Sequence, residues 1–196
     1  MKPVIGVLAL QGGVIEHVQM LRTLECSTRE IRLPEHLKGL QALVIPGGES
    51  TALIKLVRRW NLAEPINNTV SAGLPVWGTC AGSILLSSRV TEREHKVNQE
   101  SLALAPVTAE RNRFGRQIAS FQADLKITGI EETYPGVFIR APLLIPDSDE
   151  IQVLSSVKEG PVFLRYRNVW LSSFHPELTD DSRVHALFLR ESGIGS

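Results

Sequence analysis

Short, nearly continuous apolar runs separated by amphipathic stretches fill the first half of the chain. Val4–Leu10 is apolar apart from one glycine, as expected of a strand covered on both faces of a parallel sheet. Behind it, Val14, Val18 and Leu21 recur at helical spacing. Thr28–Leu33 reads as a second strand ended by Pro34, and Ala42–Ile45 as a third ended by Pro46-Gly47-Gly48. Ser50 stands where an N-cap belongs, ahead of a helix carrying Leu53, Leu56 and Val57 on one face. A further helix over Glu64–Ala72 ends at Gly73, and Val76 and Trp77 form the next strand. Four strands alternating with helices predict an α/β fold: an open, mostly parallel twisted sheet with flanking helices and right-handed crossovers.

The second half changes character. Arg89–Glu100 is polar and charged and reads as a surface excursion. Short β-rich pieces follow around Ser120–Ile127, Gly136–Arg140, Ile151–Ser155 and Val162–Tyr166, the pattern of an added antiparallel region of meanders or hairpins. Val169–Phe174 is another strand, ending at His175. Thr179-Asp180-Asp181 opens a last helix through Val184, Leu187 and Phe188, with acidic residues at its positive end. No repeat, low-complexity tract or linker interrupts the chain, so one domain over residues 1–196 is expected.

Composition narrows the function classes. Lys plus Arg and Asp plus Glu each number 21, so the formal net charge is zero and nothing favours a nucleic acid partner. The apolar run after Lys2 is short and lacks a small-residue cleavage site, which argues against a signal peptide, and no stretch approaches the length of a membrane span. Two cysteines far apart make no disulfide framework and fit a reducing compartment, so a cytoplasmic protein is expected. The five histidines show no His-x-x-x-His spacing, and neither a metal nor a cofactor is expected.

The chemistry concentrates at Gly78-Thr79-Cys80-Ala81-Gly82, between the strand at Val76 and the helix-like stretch Ala81–Leu86. A chain of this composition should contain Gly-x-Cys-x-Gly roughly 0.01 times by chance, which argues against accident. Glycines on both sides permit a sharp strand-to-helix turn, and the helix N-terminus stabilises a thiolate. Cys26 lacks glycines or a base nearby and reads as structural. His175-Pro176-Glu177, after an apolar strand, offers a base and a carboxylate to orient it. In open α/β sheets ligands sit at the carboxyl ends of strands, where the Cys80 elbow, His175 and the Pro46-Gly47-Gly48-Glu49-Ser50 loop all fall. The N–H of Ala81 and one from the 47–48 loop could form an oxyanion hole. That loop alone reads equally well as a plain turn, and it lacks the lysine of a phosphate loop. Glu110-Arg111-Asn112-Arg113-Phe114-Gly115-Arg116 is the densest basic segment; it and Arg140 are alternative partners for a substrate carboxylate, and Glu49 for an amino group.

Taken together, these segments resemble the class I (triad) glutamine amidotransferases and, within them, the glutaminase subunits of pyridoxal 5′-phosphate synthase. The resemblance covers nearly the whole chain. It rests on Gly6–Gly12, Pro46–Thr51, the Cys80 elbow, Glu110-Arg111-Asn112, Phe114-Gly115-Arg116-Gln117, Gly136–Pro142 and Ser173–Leu178. It implies Cys80 as nucleophile with His175 and Glu177 completing a triad. It also implies Gly48 and Ala81 around the oxyanion, and glutamine contacts from Gly48, Glu49, Ser50, Arg111, Ile139 and Arg140. Gln11 would lie in a loop that meets a barrel synthase partner, in a hetero-oligomer that uses ammonia from L-glutamine to build pyridoxal 5′-phosphate. Arg89–Glu100 departs from the family by a few extra residues. Competing expectations are a glutaminase for another pathway such as histidine biosynthesis, an elbow-cysteine peptidase or deglycase, and a non-enzymatic binding module.

Overall fold

The computed structural model describes residues 2–92, 95–97, 99–111 and 120–194. The β/α alternation of the first half is present: β1 (Val4–Leu8), α1 (Val14–Thr23), β2 (Ser27–Ile31), β3 (Ala42–Ile45), α2 (Ser50–Arg59), α3 (Ala63–Ser71), β4 (Val76–Thr79) and α4 (Ala81–Leu86). The chain continues through β5 (Ser87–Glu92), the two-residue β6 (His95–Lys96), β7 (Ala105–Arg111), β8 (Ser120–Leu125), β9 (Tyr134–Ile139) and β10 (Leu143–Pro146). It closes with β11 (Gln152–Val157), β12 (Gly160–Tyr166), β13 (Val169–Ser172) and α5 (Arg183–Glu191).

Seven strands form the main sheet in the order β11-β12-β13-β4-β3-β1-β2. The five from β13 to β2 are parallel, and β12 and β11 add an antiparallel edge. Alternate residues of a strand face opposite sides, and the core divides accordingly. Leu43, Ile45 and Val76 pack with Leu53, Val57 and Ile66 of α2 and α3 on one face. Ala42, Val44 and Trp77 pack with Val18, Val184 and Phe188 of α1 and α5 on the other. This double cover explains why the central strands read as unbroken apolar runs.

Two expectations change. Arg89–Glu100 is not purely a surface excursion: its first residues belong to β5, in a second sheet of order β10-β7-β5-β6. α4 spans only Ala81–Leu86, and at Ser87 the backbone turns extended, which starts that strand directly. The N-cap of α2 is Glu49, not Ser50: its carboxylate accepts from the N–H groups of Thr51 (2.9 Å) and Ala52 (2.6 Å). The hairpin β8–β9 forms a third, two-stranded sheet.

Candidate active site

Cys80 follows the last residue of β4 and precedes α4 with φ +48° and ψ −104°, a backbone conformation that side chains other than glycine rarely adopt. Such strain persists only where the surroundings over-determine it. Here the flanking glycines do so. A Cβ on Gly82 would overlap the Ile45 carbonyl oxygen, and one on Gly78 would run into the backbone of Gly82. The Cys80 N–H also donates to the Ser172 carbonyl at 2.7 Å, tying the turn to β13. The turn therefore lies flat against two strand ends.

β13 ends at Ser172, and three residues later His175 comes over the same sheet edge. Its Nδ1 lies 2.8 Å from Glu177 Oε1, and that contact is buried. With Nδ1 occupied, Nε2 is the ring nitrogen left for the Cys80 sulfur. β9 braces both groups: the Val137 carbonyl accepts from the His175 N–H at 2.8 Å, and the Ile139 carbonyl oxygen stands 3.7 Å from Cys80 Sγ. Gly47 passes so close that a Cβ there would overlap the His175 ring. Burial by itself would lower His175; the hydrogen bonds and charges of Cys80 and Glu177 outweigh it and push the imidazole up to about 10. For Glu177, burial favours the neutral acid, but His17 and the His175 hydrogen bond oppose it and hold the carboxyl below its usual range.

A folded-state value above the ordinary 6.5 means that protonated His175 favours the folded chain. That contribution is whole below pH 6.5 and is lost as the pH rises through about 10. The stability difference between the wild type and His175→Asn should therefore shrink from pH 6.5 to pH 10. Urea unfolding at the two pH values measures it, and a constant or growing difference contradicts the assignment.

Gly48, Glu49, Ser50, Cys80, Ala81, Arg111, Ile139, Arg140 and His175 line a single cleft of about 600 Å³, together with Ile84. This volume suits a small-molecule ligand. Ala81 is the first residue of α4, so its N–H has no intrahelical acceptor. Glu49 lines the cleft while its carboxylate caps α2, and this hydrogen bonding keeps it ionised below the usual range despite the opposing effect of burial. Arg111 Nη1 donates to Gln99 Oε1 at 2.6 Å, and the Ser50 hydroxyl reaches the same oxygen at 3.3 Å. Arg140, exposed and at φ +47°, closes the rim. Asn112 to Arg116 of the basic segment, and Gln117 after it, lie outside the described residues.

Gln11 does more than face outward. Its side-chain carbonyl accepts from the Glu49 N–H at 3.1 Å and its amide donates to the Glu49 carbonyl at 3.3 Å, clamping the peptide beside Gly48. The sequence reading missed Gln99, Ile84, Thr79 and His17. Thr79 Oγ1 accepts from the Gly47 N–H at 3.0 Å and so joins the two strand-end loops. Only His17 left a signal: a polar residue beside Val14, Val18 and Leu21 on the buried stripe of α1.

A doubly covered sheet with a cysteine elbow and a histidine–carboxylate pair at its carboxyl edge has the architecture of a glutamine amidotransferase. Residues 7–193 match the SNO glutamine amidotransferase family, and the chain belongs to it. The chain is 45% identical over 195 residues to the "Pyridoxal 5′-phosphate synthase subunit PdxT" of Ignicoccus hospitalis, covering 96% of this chain and 98% of that one. It is 43% identical over 185 residues to the protein of the same name from Thermosipho africanus, covering 94% and 96%. A solved structure described as a glutamine amidotransferase superposes with a TM-score of 0.90 at 42% identity, over 97% of this chain and 99% of the other. The Thermotoga maritima PurLQS structure shares the fold, with a TM-score of 0.69 at 16% identity.

Proposed function

We propose that this chain hydrolyses L-glutamine to L-glutamate and ammonia, and that it passes the ammonia to a separate synthase subunit that makes pyridoxal 5′-phosphate. The observation that carries the reading is that Cys80 and His175 line one cleft of a SNO-family chain, with Glu177 buried behind the histidine and bonded to it. The synthase assignment rests on relatives at 43–45% identity that are named as pyridoxal 5′-phosphate synthase subunits and align over nearly their full lengths. The same reading takes residues 1–196 as one domain of a cytoplasmic protein. Among the described residues no helix is long and apolar enough to cross a membrane.

The Cys80 thiolate attacks the side-chain amide carbon of glutamine, and the carbonyl oxygen takes the negative charge. The N–H groups of Ala81 and Gly48 hold that oxyanion. Imidazolium His175 gives its proton to the departing nitrogen, which leaves as ammonia, and a γ-glutamyl thioester remains on Cys80. His175 then takes a proton from water, the hydroxide attacks the thioester, and glutamate departs with the thiolate restored. Glu177 keeps the imidazole in the required orientation throughout. In this reading Arg111 and Arg140, which line the cleft, take the substrate α-carboxylate, with Glu49, Ser50 and the Ile139 backbone completing the contacts. The Gln11 loop beside Gly48 forms part of the synthase-facing surface, so docking there reaches the oxyanion peptide directly.

Ammonia released into bulk water would mostly be protonated and lose its nucleophilicity, which makes transfer within a complex the chemically sensible route. The test is glutamate release by the purified chain with and without the synthase subunit. Little activity alone and clear stimulation by the synthase, with pyridoxal 5′-phosphate formed from glutamine, is the expected result. Glutamine left intact in the presence of the synthase would overturn the reading.

A further inference from the structure

We propose that His17, backed by His185, is a positioning residue for this site: its Nε2–H holds Glu177 Oε2, so that Oε1 stays aimed at His175. The inference deepens the proposed glutaminase reading and rests on it. Glu177 is buried and has two oxygens to satisfy, of which His175 takes only Oε1. Oε2 faces His17 Nε2 at 3.3 Å, off the line of a good hydrogen bond, so the contact is that of a carboxylate beside an N–H dipole. Without it this oxygen would be a buried anionic acceptor facing no donor.

The proton positions follow from the neighbours. His17 Nε2 also lies 3.2 Å from Thr79 Oγ1, which already accepts from Gly47, and His17 Nδ1 lies 3.0 Å from His185 Nε2. His185 Nδ1 is buried with no partner among the described residues. If His17 donated from Nδ1, its Nε2 lone pair would point at the carboxylate and His185 would bury an unpaired N–H. If His17 carries its proton on Nε2, that proton is shared between Glu177 and Thr79. His185 then donates from Nε2 to His17 Nδ1; the Thr79 hydroxyl proton and the His185 Nδ1 lone pair are left over, and what favours this arrangement is that an N–H rather than a lone pair faces the carboxylate. Both rings are fully buried. Burial is the main effect on each and lowers both, His185 well below its ordinary value, which favours the neutral rings. The charged or titratable groups around His17 are Glu177, His175 and His185 from neighbouring segments and Glu16 on its own helix; the sheet contributes the edge of the uncharged Trp77 ring.

The arrangement reaches beyond the triad, because one His17 proton touches both the orienting carboxylate and the hydroxyl that fixes the Gly47 loop. A purely structural role would be filled as well by apolar side chains, since replacing a buried polar network by packed hydrocarbon is often neutral for stability.

His17→Leu and His17→Gln separate the two roles in the chain assayed with its synthase subunit. Glutamine offers a donor at the Nε2 position and an acceptor for His185, whereas leucine offers neither. His17→Leu should lower kcat for glutamate release by about 10-fold or more, because Glu177 Oε2 loses the N–H dipole beside it, with KM little changed. His17→Gln should recover most of that loss. The downfield proton resonance of His175 Nδ1–H should persist in His17→Gln and broaden away in His17→Leu. Nitrogen-15 spectra of the wild type should show His17 as the neutral Nε2–H form, a readout that holds even if His17→Leu does not fold. Wild-type kcat in folded His17→Leu, or His17 in the Nδ1–H or protonated form, overturns the proposal. Controls run in parallel distinguish the cases: no glutamate release by the wild type with its synthase defeats the glutaminase reading, activity surviving in Cys80→Ala defeats Cys80 as its nucleophile, and wild-type kcat surviving only in His17→Leu defeats the positioning role.

Discussion

Cys80→Ala is expected to lose glutamine hydrolysis by a factor on the order of 10⁴ or more while remaining folded, because no other group over the cleft can form the thioester. Alanine occupies the same volume without the sulfur, and the elbow is held by Gly78, Gly82 and the Ser172 carbonyl rather than by the thiol. The positive φ strains cysteine and alanine alike, so any stability change should come from losing the sulfur beside His175. Urea unfolding and complex formation with the synthase check the folded state, and glutamate release checks the chemistry. The loss of the His175 partner gives a second readout. The thiol is among the groups that raise the imidazole, so in Cys80→Ala the His175 titration should move down from about 10. An unmoved titration would mean that the sulfur and the ring do not interact.

Glu177→Gln is expected to cost about 10³- to 10⁴-fold in kcat, although the two side chains are nearly isosteric. The carboxylate accepts from His175 at Oε1, 2.8 Å away, and turns Oε2 to His17 Nε2 at 3.3 Å. An amide has one oxygen and one NH₂, so one of the two histidines must meet a donor where it now meets an acceptor. If the NH₂ faces His175, the ring is forced into the wrong tautomer to take a proton at Nε2. If it faces His17, that ring must turn its proton away and the chain to His185 reverses. Steady-state kinetics should therefore show a kcat effect with KM nearly preserved. A variant with wild-type kcat would show that the carboxylate is a packing feature only.

The elbow was legible because it is local. Glycine, cysteine and glycine at alternate positions after an apolar strand specify a backbone turn whatever the rest of the chain does, and the observed φ of +48° at Cys80 is that turn. His175 and Glu177 were legible for the same reason, two residues apart in a short segment after β13. The second sheet was not. β7 reads Ala-Pro-Val-Thr-Ala-Glu-Arg with a proline inside it, and β10 follows Pro142 and ends on Pro146, features that demote a segment as a strand. Their ladder supplies what their own propensity does not, through β5 pairing with β7 and β7 with β10. The cap of α2 went to Glu49 because a longer carboxylate can reach the N–H groups of both Thr51 and Ala52, leaving Ser50 free to meet Gln99.

By itself, the sequence determined the parallel sheet, the elbow and the residue types for a thiol, a base and an orienting acid, because apolar period and turn chemistry act over a few residues. The tertiary structure alone decided which polar groups are buried together. His17 on α1, His185 on α5, Thr79 on β4 and Glu177 after β13 are far apart in the chain and meet only when two helices close over one sheet edge. Hydrogen-bond partners at such separations leave no local pattern, since each buried group is satisfied by whatever the packed fold brings against it.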